Sequence, residues 1–302
     1  MSKAPPHIII LGTGRSFTSV VSCMIGQHPD MIGLPETNIF VDPTLGEVCK
    51  RFGGRSNAYR RAGLLRTLAH FHDGAQTDET IAAAEKFLTE HGDWTATEIA
   101  AHIAKLAAPR GIVEKSISTS RKRATLNRAL EAWPEAYFLH ITRQPESIVL
   151  SMLTRIEGIM EKGKGGRLLE QAKDEVGLDH YFNRLSTAIL SFMATLPPGK
   201  GMNLHGENFL TDARCYARQI CEWTGLDASD AAIDAMMHPE NNPFAFPGPA
   251  TASGGLSKSF LDNPTYSGKP VTVKPMSFNL KTPDLTAARQ TLTTLGNRLG
   301  YP

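Results

Sequence analysis

Apolar residues along this chain gather in two ways. Short, nearly continuous blocks occur at His7–Leu11, Met31–Leu34, Gly111–Val113, Ala136–Ile141 and Met202–Leu204, and such blocks predict buried strands. Longer stretches carry apolar positions at helical spacing and predict helices over Ser19–Gln27, Arg60–His70, Asp78–His91, Thr95–Ala107, Ser120–Ala132, Pro145–Leu153, Leu178–Leu196, Ala213–Thr224 and Leu285–Leu299. Short strands separated by helices predict an α/β fold, a central parallel sheet flanked by helices. Residues 1–302 read as one domain with two additions. Asn57–Ala108 is a helical insertion, and Gly158–Asp179 is a Gly/Lys-rich segment that reads as flexible. Pro239–Pro275 is dense in Pro, Gly and Asn and reads as a long C-terminal loop. Loops of that length usually serve as lids or binding loops.

The first block carries the chemistry. After Ile8–Leu11 comes a turn, Gly12-Thr13-Gly14-Arg15-Ser16-Phe17-Thr18-Ser19, and Val20–Ile25 begins a helix. A strand, a tight turn and a helix N-terminus make an anion site, because free backbone N–H groups and the helix dipole converge on the turn. Arg15, Ser16, Thr18 and Ser19 add donors suited to phosphate or sulfate oxygens. The turn lacks the Gly-Lys-[ST] element of nucleotide kinases. Phe17 stands where the dinucleotide fingerprint needs a small residue. The competing reading is a purely structural strand-to-helix turn.

Composition narrows the field. The chain has 302 residues, 41% of them hydrophobic and 21% charged, with a net charge of +2. That describes an ordinary globular protein without the field expected of a nucleic-acid or membrane binder. The four cysteines, Cys23, Cys49, Cys215 and Cys221, show no metal-ligand spacing, and buried thiols are expected of them. No disulfide framework is suggested, no apolar run is long enough for a transmembrane segment, and a cytoplasmic location is the expectation.

A second constellation lies at Ala136–Leu153. A strand ends at Ile141, Thr142 and Arg143 follow at its carboxyl end, Pro145 opens a helix, and Ser151 lies two turns along. Ligands of open α/β sheets gather at that end of the strands, so Arg143 and Ser151 are placed for an anion. The alternative is an Arg paired with Glu146 and a Ser that only packs.

Together these blocks resemble the sulfotransferases that use 3′-phosphoadenosine 5′-phosphosulfate. Gly14-Arg15-Ser16-Phe17-Thr18-Ser19 is similar to that family's phosphosulfate loop, with Phe17 in place of the usual glycine. His28-Pro29-Asp30, Pro35-Glu36, Glu114-Lys115-Ser116, the Arg143–Pro145–Ser151 spacing, Glu207-Asn208-Phe209 and Gly225-Leu226 follow in the family's order. The resemblance covers about His7 to Leu226. Gln144 departs from the common Asp, and only Gly254-Gly255 and Lys258 stand loosely for the RKG loop of the animal enzymes.

The resemblance implies a P-loop-like α/β fold and a bacterial-type transferase. The co-substrate is 3′-phosphoadenosine 5′-phosphosulfate, with no metal. Arg15, Ser16, Phe17, Thr18 and Ser19 would hold the 5′-phosphosulfate, and Arg143 and Ser151 the 3′-phosphate. Arg15 would stabilise the leaving phosphate, Lys115 the transferring group, and Glu36 would be the general base for a hydroxyl or amine acceptor. A competing role for Glu36 is pairing with Arg15 or capping the next helix. His28 reads as a turn residue, His140 as a core histidine, and Arg121-Lys122-Arg123 as a solvated helix start. The acceptor would be a small molecule, lipid or carbohydrate, with no nucleic-acid partner, and a homo-oligomer is compatible with the chain. Two other readings stand beside this one. They are a P-loop-like nucleotide kinase, and a non-catalytic nucleotide-binding member of the same fold, for which Phe17 is the argument.

Overall fold

The computed structural model describes residues 5–54, 57–160, 175–273, 275–276 and 285–301. Five parallel strands form one sheet: β1 (Ile8–Gly12), β2 (Met31–Gly33), β3 (Gly111–Glu114), β4 (Tyr137–Thr142) and β5 (Gly201–His205), in the order β2-β3-β1-β4-β5. Each strand coincides with one of the apolar blocks. Ile8 pairs with Val113 on one side and Tyr137 on the other, so β1 is the centre from which the strand order runs both ways. That is the switch point at which an open parallel sheet leaves a crevice beyond its carboxyl edge.

The period-2 geometry of a strand divides β1 between two cores. Ile9 and Leu11 pack with Leu64, Leu68, Ile99 and Ile103 of the helical addition and with Leu185, Ile189 and Phe192. Ile8 and Ile10 pack with Val21, Met24 and Ile25 and with Ala217, Ile220 and Ile233. Both faces of the sheet are therefore covered, as all-parallel sheets require.

The helices in chain order are α1 (Thr18–Ile25), α2 (Leu45–Phe52), α3 (Ala62–Asp73), α4 (Asp78–Glu90), α5 (Ala96–Ala107), α6 (Arg123–Ala132), α7 (Pro145–Met160), α8 (Glu175–Met193), α9 (Gly206–Thr211), α10 (Ala213–Thr224), α11 (Asp230–Met236), α12 (Lys258–Leu261) and α13 (Leu285–Arg298). The pattern of apolar positions anticipates nine of these and misses α2, α9, α11 and α12. All four are short, and a short helix offers too few turns for periodicity to register. α2 does carry a sequence signature. Thr44 accepts a bond from Glu47 N while the Glu47 carboxylate returns to Thr44 N, a capping box.

Two expectations change. The stretch Pro239–Pro275 is not one featureless loop. It contains single 3-10 turns at Pro239–Asn241 and Ala250–Ala252 and the helix α12. Cys215 is exposed rather than buried, whereas Cys23 and Cys221 are buried. Of the Gly/Lys-rich segment, residues 161–174 lie outside the described residues, and its flanks are the end of α7 and the start of α8.

Candidate active site

Every residue assigned from the sequence to chemistry, except Ser151 within α7, follows the carboxyl end of a strand. The 13–19 turn follows β1, Glu36 follows β2, Lys115 follows β3 and Arg143 follows β4. The sheet thus delivers them to one edge, although they are far apart in sequence.

The 13–19 loop is held from within and from beneath. Thr13 and Ser16 share a hydroxyl–hydroxyl bond of 2.6 Å, and Gly12 N donates to Ser120 Oγ at 3.3 Å. Arg15 and Phe17 both take positive φ, 70° and 62°. For a residue with a Cβ this region costs about 1–2 kcal/mol, which is the physical reason a glycine suits position 17. Phe17 is the N-cap of α1 and supplies no side-chain acceptor to the helix. The first amides of α1 are therefore without the usual cap and face the loop.

Arg15 Nε donates to Ser151 Oγ at 3.0 Å and its Nη1 to Ser259 Oγ at 3.3 Å. The structure therefore brings Ser151 to Arg15 rather than to Arg143. Arg143 sits beside them, with Nη1 donating to the Arg15 carbonyl at 2.8 Å. Its Cζ lies 4.4 Å from the Phe17 ring centroid. The Arg143–Glu146 pair considered as the alternative is not among the ion pairs of the described residues. Burial pushes the Arg143 guanidinium pKa down, and Glu207 opposes that shift. Glu207 is itself engaged by Gln144 N and by the Tyr301 hydroxyl, both at 2.9 Å. Burial and Glu207 together push the Tyr301 phenol pKa up.

A cleft of ≈ 260 Å³ opens over this loop, bounded by Arg15–Val20 and Arg143 on one side. Its other wall comes from the C-terminal stretch, through Ser257, Ser259, Tyr266 and Lys269. That stretch is fastened across the site: Gly255 O accepts from Glu36 N at 2.6 Å, and Ser257 N donates to Ser19 Oγ at 3.1 Å. Sequence reasoning passed over Ser257, Ser259, Tyr266 and Lys269, because residues in an irregular stretch carry no periodicity that would locate them. Lys258, the loose substitute for a basic loop, does not line the cleft. It bonds Asp262 at 2.6 Å, one turn along α12.

Glu36 and Lys115 form their own unit. Lys115 Nζ lies 2.6 Å from Glu36 Oε1, with the lysine side chain 1% exposed and the glutamate 31%. Glu36 therefore pairs with Lys115, not with Arg15, and it opens no helix. The pair does not line the cleft. It is linked to the cleft through Gly255, whose positive φ and contact with Pro35 leave no room for a side chain. Behind Lys115, Glu114 is fully buried and accepts from Thr37 Oγ1 and Ser116, and burial raises its carboxyl pKa.

The two histidines weighed from the sequence, His28 and His140, are structural. His28 Nε2 contacts Asp227 O, and its Nδ1 accepts from Asp30 N, so it fixes a turn. His140 is buried in β4 against Asn203, and burial drops its pKa to about 4. Among the described residues no group of three His, Cys, Asp or Glu is placed to hold a metal ion, and no helix is long and apolar enough to cross a membrane.

Comparison with known proteins places the fold and the family. The whole chain superposes on the sulfotransferase domain from the curacin biosynthetic pathway, with a TM-score of 0.77 over 99% of that chain at 17% identity. It superposes equally fully on the sulfotransferase domain of the Synechococcus PCC 7002 olefin synthase, with a TM-score of 0.74 over 97% of that chain at 18% identity. Identities this low speak for the fold alone. No curated protein sequence matches. The family model described as "Sulfotransferase family" matches residues 6–230, a span that contains the 13–19 loop, Glu36, Lys115, Arg143 and Glu207, and the chain belongs to that family.

Proposed function

We propose that the chain transfers a sulfuryl group from 3′-phosphoadenosine 5′-phosphosulfate to a hydroxyl or amine acceptor, without a metal. The observation that carries this reading is the pairing of an uncapped helix N-terminus with two arginines, Arg15 and Arg143, joined through the Arg15 carbonyl. Two neighbouring cationic positions suit a ligand with two separated anionic groups. In this reading the α1 amides, Ser16, Thr18 and Ser19 hold the 5′-phosphosulfate. Arg143 holds the 3′-phosphate. Ser151, which accepts from Arg15, sets the reach of that arginine between the two.

In-line transfer forms a bond from the acceptor oxygen or nitrogen to sulfur and breaks the bond from sulfur to the bridging phosphate oxygen. The bond electrons leave with 3′,5′-adenosine bisphosphate, and the acceptor proton passes to a base. Positioning and charge stabilisation supply most of the catalysis in such displacements. Arg15 and the loop amides meet the charge that grows on the leaving phosphate. Glu36 takes the proton, and Lys115, held against that carboxylate, would lend positive charge to the transferring group from behind it. The acceptor would enter from the side of Glu36 and the helical addition, as a small molecule, lipid or carbohydrate.

The test is transfer of labelled sulfate from the phosphosulfate donor to an acceptor panel, with calorimetric titration of 3′,5′-adenosine bisphosphate beside magnesium ATP. Metal-independent bisphosphate binding that is lost in Arg143→Ala is the expected result. Binding of magnesium ATP with no bisphosphate binding would make the loop a kinase-like site instead.

A further inference from the structure

Phe17 stands where the backbone favours glycine, and a bulky residue in the left-handed region persists only where its surroundings fix it. Its surroundings do so on two sides. On one side is Gly206, the first residue of α9. A Cβ at Gly206 would lie 2.7 Å from a carbon of the Phe17 ring and 3.1 Å from the Thr142 carbonyl oxygen. The absence of a side chain there is what gives the ring its seat. On the other side is Arg143, whose Cζ lies 4.4 Å from the ring centroid.

The way Arg143 is held matters for what it can bind. Its Nη1 is anchored on the Arg15 carbonyl. Its Nε is buried and has no partner among the described residues. The nearby carboxylate Glu207 is engaged by Gln144 N and Tyr301. A carboxylate against the guanidinium would consume two of its donors and cancel its charge. An aromatic face attracts the cation through its quadrupole and consumes neither.

We infer that Phe17 is a positioning residue whose ring aims Arg143 at a phosphate on the 3′ side of the nucleotide, with Gly206 making the seat for that ring. The inference rests on the assignment of Arg143 to the 3′-phosphate. It gives the departure at position 17 a role in ligand choice: the ring fixes a charged donor set with no carboxylate bonded to it among the described residues, so ligands with a phosphate there are preferred to those without.

Calorimetric titration of the full chain with 3′,5′-adenosine bisphosphate and with adenosine 5′-monophosphate tests it, the readout being the ratio of the two affinities. The wild type is expected to favour the bisphosphate, and Phe17→Tyr, which keeps an aromatic face, to keep that ratio. Phe17→Leu keeps bulk and loses the face, and its ratio is expected to fall about fivefold or more, with the thermal midpoint read alongside. Gly206→Ala, which drives the ring from its seat, is expected to lower the ratio in the same way. Wild-type ratios in both Phe17→Leu and Gly206→Ala would overturn the inference, and a loss in Arg143→Ala in the same series would leave the Arg143 assignment standing. Equal weakening of both ligands in Phe17→Leu would also overturn it, since that outcome describes loop shape alone. A wild type that does not distinguish the two ligands would remove the assignment itself. Should Phe17→Leu fail to fold, Gly206→Ala and Phe17→Tyr decide the matter between them.

Discussion

A lysine shut away from water needs a partner for its charge, and the partner of Lys115 is Glu36. Stability and catalysis separate at this pair. Glu36→Ala removes the partner and leaves a buried ammonium, and is expected to destabilise the protein by about 2 kcal/mol, less than for a wholly buried pair because Glu36 is part-exposed. Glu36→Gln keeps an oxygen acceptor and is expected to hold most of that stability while losing about 10²–10⁴-fold in transfer rate. Urea denaturation beside a labelled-sulfate assay checks both. A Glu36→Gln enzyme at wild-type rate would dismiss Glu36 as the base.

His140 shows a second consequence of burial at single-residue scale. Its folded pKa, about 4, lies below the ordinary value of 6.5. The unfolded chain therefore binds the extra proton between those two pH values, so stability is full above about pH 6.5 and falls as pH drops towards 4. The loss attributable to this residue is at most about 3 kcal/mol. Denaturant midpoints measured from pH 7 to pH 4 should fall less steeply in His140→Asn than in the wild type.

Among the elements, α2 and the C-terminal stretch depend on particular fastenings. Thr44 and Glu47 satisfy each other's backbone amides at the start of α2. Thr44→Ala is expected to cost about 1 kcal/mol in a thermal melt. Arg66 of α3 is a stronger fastening. It is fully buried, donates to Gln76 Oε1 at 2.6 Å, to Phe244 O at 3.1 Å and to Gly254 O, and has no carboxylate partner among the described residues. Burial lowers its pKa to about 10. One side chain therefore ties the 244–254 stretch to the helical addition, just before the residues that bond Glu36 and Ser19. Arg66→Met keeps much of the volume but strands the two carbonyls. It is expected to lose about 3 kcal/mol and to open the 244–256 stretch to limited proteolysis.

For the molecule as a whole, the cleft is closed by pieces far apart in the chain, so a ligand that fills it should tighten the entire fold. If 3′,5′-adenosine bisphosphate binds as proposed, a hundredfold excess over its dissociation constant adds about 2.7 kcal/mol of stability. The thermal midpoint should rise to the same extent with and without EDTA. A rise abolished by EDTA would mean that a metal takes part in binding.

Local composition was enough to place the frame. All five blocks coincide with strands of the parallel sheet, and β1 to β4 are buried as expected, whereas the block interrupted by Asn203 forms the edge strand β5, in which only Leu204 is buried. The order of short motifs beginning with the glycine- and hydroxyl-rich turn after the first block pointed to the sulfotransferase family to which the chain belongs. Tertiary structure decided what depends on distant residues meeting. Glu36 meets Lys115 rather than Arg15, and Ser151 meets Arg15 rather than Arg143. Gly206 makes room for the Phe17 ring and Arg143 lies against its face, and an irregular C-terminal stretch supplies the far wall of the cleft. A pattern along the chain records which residues must be buried. Which partner each polar side chain finds is set by the strand order, because that order alone determines which carboxyl-end loops become neighbours.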